Sequence, residues 1–554
     1  MRDAKLKMIA LGGLGEIGMN MMVFESQGTI VVVDSGLMFP EDYMLGVDYV
    51  IPDMDYIRDN RSRVAGIVIT HAHEDHTGGL PYLLRDVNAP VYATAFTLGM
   101  IRHKLEEHGL LEAASLIQIE PDRKLRLPPF EFDFIRVNHS VVDGVGFALD
   151  TPAGLIVHTG DFKLSETAIP GMITDIPKFA RLGDKGVLAL LSDSTNVERQ
   201  GHTISDERVG ETLGRIITAS QGRVIIALFA SNIARIQQVV NILQNMQRKL
   251  VFNGKSIELS ARIAKDLGML HIPEGMELDI SDINAYASDE LVILTTGSQG
   301  EPMSALTRMS AGMHKQIKIE AGDTVVLSSK FIPGNEKAIA KIINNLFRKG
   351  AEVIYETISE IHVSGHAFRE ELKMMINMTM PDYVIPIHGE YRHLYHHARL
   401  ARECGIAREN VLLAENGQII CFDEAGGRIE GSVATTRVLV DGKGVGDVGR
   451  SVLKERRLLS EKGLVVVILV LDESTGFVMH GPEIVSKGFV FEAETGHILE
   501  DAKCIVLELL DDMMAKQPRD GADFLRNRLP KELREYFNFT MKRKPVIVPV
   551  ILAV

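Results

Sequence analysis

Short runs of branched and aromatic residues, separated by glycine and polar turns, pattern the first part of the chain. Leu6–Ala10, Met21–Glu25, Thr29–Asp34, Gly66–Thr70 and Val91–Thr94 each read as a strand, and Phe132–Asn138, Gly146–Asp150, Leu155–Thr159 and Gly186–Ser192 continue the series. Several end in a polar residue, which predicts sheets whose edges present side chains to a shared site. From about Gly210 to Gly350 the rhythm changes to strand–helix–strand. Val224–Phe229 reads as a strand, and Asn232–Arg248 as a helix with Ile233, Ile236, Val240 and Leu243 on one face. Leu250–Phe252, Leu291–Thr295 and Thr324–Ser328 supply further strands and Ala338–Arg348 another helix, which predicts a separate α/β domain with a largely parallel sheet. Polar, glycine-rich sequence at Glu424–Gly431 and Asp441–Gly449 reads as a linker. A last, smaller unit holds Leu464–Leu471, Gly488–Phe491 and the strand-like Val546–Leu552.

Composition changes this picture little. The 554 residues are 45% hydrophobic and 24% charged, a balance ordinary for a soluble chain of about three or four domains. The amino terminus lacks the apolar core of a signal peptide, and the longest apolar runs fall well short of the ~20 residues a membrane-spanning helix needs. Cys404, Cys421 and Cys504 lie far apart with no CxxC spacing, so neither a disulfide framework nor a thiolate zinc site is expected, and a reducing cytoplasm is the simplest compartment. A net charge of −14 argues against nucleic-acid binding by bulk electrostatics, although local cations can still hold phosphates.

Chemistry enters at His71-Ala72-His73-Glu74-Asp75-His76, directly after a predicted strand. Three imidazoles and a carboxylate within six residues suit zinc or a similar divalent ion, and one loop can divide them between two neighbouring ions. His139, Asp161 and His388 each follow a predicted strand as well, which brings the set to seven ligand-type side chains at strand-to-loop junctions. Gly13-Leu14-Gly15-Glu16-Ile17-Gly18 matches the GxGxxG spacing of a dinucleotide fingerprint, but that fingerprint requires a following helix. Successive strands are predicted there instead, so the run reads as a tight loop beside the metal site.

These residues resemble the metallo-β-lactamase fold superfamily. Asp34 in Val33-Asp34-Ser35-Gly36 matches its first motif, a mainly structural aspartate, and the HxHxDH run matches the second. His139, Asp161 and His388 match the remaining three. The resemblance assigns His71, His73 and His139 to one ion, Asp75, His76 and His388 to the other, and Asp161 to a bridge between them. The interval from Asp161 to His388 is far longer than a strand and loop require, so the α/β segment is an insertion. Such an insertion resembles the β-CASP branch, whose members cleave nucleic acids. Asp193 in Ser192-Asp193-Ser194-Thr195, His366 in His362-Val363-Ser364-Gly365-His366, and His388 in Pro386-Ile387-His388-Gly389-Glu390 fit that branch's motifs.

Within the branch, the chain is similar to the ribonuclease J family along nearly its whole length. Phe229-Ala230-Ser231-Asn232, Thr296-Gly297-Ser298-Gln299-Gly300-Glu301-Pro302 and Ile332-Pro333-Gly334-Asn335-Glu336 carry that likeness. His139-Ser140-Val141-Val142-Asp143 departs from the more usual HSIPD form but keeps the histidine. The resemblance implies an αββα sandwich at 1–208 and 353–425, a β-CASP insertion at 209–352, a linker at 426–458 and a small α/β domain at 459–554. It implies a two-metal ribonuclease of RNA maturation and decay (rRNA processing, mRNA decay), with 5′-to-3′ exonuclease and endonuclease activity and a preference for 5′-monophosphate ends. Zinc is the expected metal, with manganese or magnesium as alternatives in activity.

His366 is then the candidate general acid or phosphate ligand, with Asp193 orienting it. Ser231, Asn232 and Ile233 open a helix whose free N–H groups suit an anion, Arg235 adds a cation, and with His362, Val363, Ser364, Gly365 and His366 they form the implied phosphate site. Asp441 is a candidate calcium ligand beside the loop Leu45–Asp48. A homodimer or homotetramer built through the last domain, with RNA-decay proteins as partners, is implied too. The sequence leaves open an ester or thioester hydrolase on the same scaffold, a DNA-repair nuclease of the same branch, and a non-catalytic RNA-binding subunit.

Overall fold

The computed structural model describes residues 5–164, 172–297, 304–329, 335–355, 361, 363–472, 475, 477–490, 492–516 and 521–554, with the backbone alone at 492–496. His362, Ser298–Pro302 and Ile332–Gly334 lie outside the described residues.

Two sheets form the first body. One has eight strands in the order Gly426–Ser432, Gln418–Asp423, Leu6–Gly12, Met21–Ser26, Thr29–Val33, Val64–Val68, Val91–Ala93 and Leu116–Gln118. The other has six: Tyr383–Ile387, Ala189–Asp193, Gly154–His158, Val145–Thr151, Phe130–Arg136 and Lys124–Leu127. Alternation of side chains along a strand explains how they pack. Phe134, Phe147, Ile156, Leu191 and Ile385 of the second sheet join Met8, Phe24 and Val31 of the first in one core. Their neighbours Ile135, Ala148, Val157, Leu190 and Val384 point the other way, against Phe179, Leu372, Met375 and Leu400 of helices Ile176–Lys185, Arg369–Thr379 and Tyr391–Glu403. The predicted sandwich, with both strand faces covered, is the result.

Between Asp193 and Tyr383 the chain builds its second sheet system, a fully parallel sheet in the order Glu277–Leu278, Lys249–Asn253, Leu291–Thr295, Val224–Ala227, Thr324–Leu327 and Glu352–Ile354. Val224 and Ile226 face helices Asp206–Ala219, Ile233–Leu243 and Lys255–Asp266, whereas Ile225 and Ala227 face Ala305–Ser310 and Glu336–Arg348. The chain then returns, and Tyr383–Ile387 pairs in parallel with Ala189–Asp193, setting Ile387 opposite Asp193.

Residues 40–48 and 439–554 form a separate compact unit. Its sheet orders Val478–Lys487, Leu464–Leu471 and Val546–Ala553. Val465, Val467 and Leu469 meet Leu525, Leu529, Leu533 and Phe537 of helix Gly521–Met541. Gly488, just after the strand ending at Lys487, has φ +63°. One expectation changes here. The expected linker contains an edge strand, Gly426–Ser432, and a thirteen-residue helix, Arg450–Lys462. Among the described residues no helix is long and apolar enough to cross a membrane.

Candidate metal centre

Parallel pairing places the site. Thr29–Val33 and Val64–Val68 run side by side, so Asp34 and the segment from Thr70 to His76 leave the first sheet together. Gly154–His158, Ala189–Asp193 and Tyr383–Ile387 are also parallel neighbours, so Asp161, Asp193 and His388 emerge at one edge of the second sheet. The turn at Gly36 packs directly on the metal loop, where a Cβ would fall 1.7 Å from the Asp75 carbonyl oxygen. No helix follows the glycine run: Leu14–Gly15 pairs with Gly389–Glu390, and Met21–Ser26 is a strand. The run therefore lies beside His388, as a tight loop rather than a dinucleotide site.

The seven ligand-type side chains converge in two sets. Ligand atoms of His71, His73 and His139 lie within 4.8 Å of one another, as do those of Asp75, His76, Asp161 and His388. His73 Nδ1 is 3.1 Å from both His71 Nε2 and His139 Nε2. Asp161 Oδ2 stands 3.3 Å from His76 Nε2, 3.5 Å from His388 Nε2, 3.6 Å from His71 Nε2 and 3.8 Å from His139 Nε2. One carboxylate oxygen thus touches both sets.

The opposite ring nitrogens fix the tautomers. His76 Nδ1 lies 2.7 Å from Asp34 Oδ2 and His139 Nδ1 2.7 Å from the Gly365 carbonyl. These oxygens only accept, so each Nδ1–H donates, and each Nε2 is the nitrogen turned to the centre. His388 Nδ1 meets Thr195 Oγ1 at 2.6 Å, and His71 Nδ1 meets Thr70 Oγ1 at 3.1 Å. Asp34 also accepts from the Thr70 N–H at 2.8 Å.

Electrostatics divides the rings further. Burial holds His71 and His139 well below the ordinary imidazole range, which keeps them neutral. Burial also works against charge on His388 and His76. Asp161 and Asp75, joined by Asp193 at His388 and by Asp34 at His76, nevertheless lift His388 to about 9 and hold His76 well above the ordinary range. Carboxylates crowded among imidazole lone pairs call for cations, and this donor chemistry fits divalent ions.

His366 Nδ1 lies 2.8 Å from Asp193 Oδ2 and 3.9 Å from Asp161 Oδ2. Its side chain is 20% exposed, against 4% or less for His71, His76, His139 and His388. His366 and His73 are the partly exposed rings of this group.

A small cavity, open to solvent, adjoins His139 and is lined by Asn138, Ser140, Lys163, Asn232, Gln238 and Val363 among others. Asn232 caps helix Ile233–Leu243, its Oδ1 accepting the Arg235 N–H at 3.0 Å. Ile233 is buried. Ser231 is partly exposed. Ser364 Oγ accepts from Asn196 Nδ2 at 2.5 Å, and a Cβ on Gly365 would fall 2.5 Å from His139 Cε1. Arg235 departs from expectation. Its guanidinium is 3% exposed and donates to Gln238 Oε1 at 2.6 Å and Asp206 Oδ1 at 3.3 Å. Asp206 in turn holds the buried Lys163 Nζ at 2.6 Å. Both cations are thus paired with Asp206; of the two, Lys163 lines the cavity, together with the Asp206 carboxylate. Asp441 departs too, because its carboxylate is engaged by Arg456 at 2.5 Å.

Several contributors carried no sequence signal. Asn20 Nδ2 sits 3.1 Å from the Asp75 carbonyl and 3.2 Å from His76 Nε2. Thr195 and Asn196, which orient His388 and Ser364, are ordinary polar residues until register brings Asp193 beside Ile387.

Two packed sheets with the His/Asp set at their shared edge, and an α/β insertion before the last ligand-bearing strand, define a metallo-β-lactamase-fold protein of the β-CASP type. Family models match in succession: Metallo-beta-lactamase superfamily at 14–183, Ribonuclease J beta-CASP domain at 221–346, Zn-dependent metallo-hydrolase RNA specificity domain at 350–413, and Ribonuclease J C-terminal domain at 451–554. The chain belongs to the ribonuclease J family. It is 39% identical over 553 residues to Ribonuclease J 1 of Streptococcus pyogenes serotype M3, covering 100% of this chain and 98% of that relative. It is 40% identical to Ribonuclease J2 of Bacillus subtilis over 549 residues, covering 99% of each. A crystal structure of a protein of unknown function from Enterococcus faecalis V583 shares the fold over 75% of this chain and 100% of its own, with a TM-score of 0.52 and 14% identity.

Proposed function

We propose that this chain is a metal-dependent ribonuclease that degrades RNA from a 5′-monophosphate end in the 5′-to-3′ direction and also cleaves internally. The observation that carries the reading is Asp161 Oδ2 standing within 3.8 Å of four ring nitrogens, two from each ligand set. His71, His73 and His139 would hold one divalent ion, zinc in the first instance, and Asp75, His76 and His388 a second, with Asp161 available to both. When bound, such a pair neutralises phosphate oxygens and lowers the pKa of water. The neutral imidazoles of His71 and His139 keep their lone pairs available for this purpose.

The chain's own groups do the remaining work. Asp193 raises the proton affinity of His366 and fixes its Nδ1, leaving Nε2–H to protonate the leaving oxygen. The cavity beside His139 receives the terminal phosphate between Ser140, Val363 and the start of helix Ile233–Leu243, with Lys163, paired with Asp206, as the lining cation. Residues 459–554 mediate assembly into a homodimer or homotetramer, and the working compartment is the cytoplasm, alongside other RNA-decay proteins.

Product analysis tests this reading. The metal-loaded chain is given 5′-monophosphate RNA, 5′-triphosphate RNA, matched DNA and an aryl ester. Mononucleotides released fastest from the monophosphate RNA support it, and ester turnover without RNA cleavage overturns it.

A further inference from the structure

The family resemblance implies calcium at Asp441, and the residues around Asp441 do not fit it. Helix Arg450–Lys462 sends the Arg456 side chain back across the loop 45–48. Arg456 Nη1 donates to the Leu45 carbonyl at 2.9 Å, and Nη2 donates to Asp441 Oδ2 at 2.5 Å. Both groups are oxygens of the kind a hard cation takes, and one planar guanidinium spans them. The loop is shaped around that cation. Gly46 has φ +74°, and a Cβ there would fall 2.8 Å from Arg456 Nη1, so a larger residue would push against the guanidinium. Asp48 closes the loop without meeting Arg456. Its N–H donates to the Val440 carbonyl at 2.9 Å, and its Oδ2 accepts the Gly442 N–H at 2.8 Å.

We infer that Arg456 is the built-in cation of this junction, taking the place that calcium would fill, and that the chain takes up no calcium there. Calcium gathers six to eight oxygens at 2.3–2.6 Å, with neutral carbonyls and carboxylates mixed. The Leu45 carbonyl and one Asp441 oxygen are both spent on Arg456, and one Asp48 oxygen is spent on backbone. A divalent ion placed among them would also stand against a fixed positive charge. The guanidinium does the same mechanical work, tying the loop 45–48 to Asp441 and to the helix that follows. Removal of its side chain would uncover the Leu45 carbonyl and Asp441, with Asp48 nearby, as a latent oxygen site.

The test is a calcium titration of the full chain with zinc occupying the histidine centre, read by calorimetry and by the thermal midpoint. The unaltered chain is expected to show no saturable uptake and no shift in midpoint. Arg456→Ser is expected to melt lower without calcium, to bind about one calcium with a Kd of roughly 10⁻⁴–10⁻³ M, and to regain its midpoint as it binds. Asp441→Asn added to Arg456→Ser is expected to abolish that recovery. Stoichiometric calcium uptake by the unaltered chain overturns the inference, as does an Arg456→Ser chain that neither melts lower nor gains calcium. Should Arg456→Ser fail to fold, the unaltered chain alone decides, by uptake or its absence.

Discussion

Asp34 Oδ2 sits 2.7 Å from His76 Nδ1, so a residue that touches no metal decides which nitrogen of a ligand ring faces the centre. The same carboxylate accepts from the Thr70 N–H and hydroxyl, which fixes it against the strand end that launches the metal loop. Partners of this type govern ligand orientation and basicity.

Replacing Asp34 with Ala should therefore weaken metal binding about 10–100-fold while every ligand remains. A zinc competition titration measures the affinity directly. RNA cleavage should return toward the unaltered rate at high metal concentration; unchanged affinity would show that the 2.7 Å contact does not tune the ring.

His366 and Asp193 behave differently. His366→Gln and Asp193→Asn should each lower kcat by about 10²–10⁴-fold, the range of general acid–base contributions. Metal content should stay near that of the unaltered chain, because His71, His73, Asp75, His76, His139, Asp161 and His388 remain in place. Metal analysis beside single-turnover rates separates this from ligand loss.

How much of this was legible in the sequence depends on how local each feature is. His71, His73, Asp75 and His76 lie within six residues, so their chemistry needed no tertiary information. His139, Asp161 and His388 were legible because each follows a strand with a strong apolar pattern. Thr195 and Asn196 were not, since only parallel register brings them to the centre, and neither was Asn20, which the antiparallel pairing of Met21–Ser26 with its neighbours sets beside His76. Arg235 was misjudged as a free cation because sequence position at a helix start says nothing of the Asp206 carboxylate that takes its charge.

The Lys163–Asp206–Arg235 chain gives a stability prediction. Asp206→Ala would leave the buried Lys163 and Arg235 without their shared carboxylate. Removing one partner from a buried ion pair costs about 3–5 kcal/mol, and urea unfolding of the insertion should shift accordingly. A loss below about 1 kcal/mol, the level of exposed pairs, would show that solvent reaches the pair.

His397 supplies a pH dependence away from the ligands. It is fully buried, Nδ1 lies 2.9 Å from Ser194 Oγ, and burial lowers its pKa to about 4 from 6.5. The folded value lies beneath the unfolded one, so its stabilisation is complete above pH 6.5 and is lost as pH falls through 4. The loss amounts to about 3 kcal/mol at about 1.4 kcal/mol per pKa unit. Metal-free His397→Gln should lack this component, and denaturant unfolding at neutral and acid pH compares the two chains.

The most direct test of the central claim is metal content measured against RNA cleavage along a zinc titration of metal-free protein. Cleavage of 5′-monophosphate RNA should appear only as the second ion binds, and His76→Ala should retain an ion at His71, His73 and His139 without cleaving. Full cleavage by a chain holding one ion, or by His76→Ala, would contradict the account.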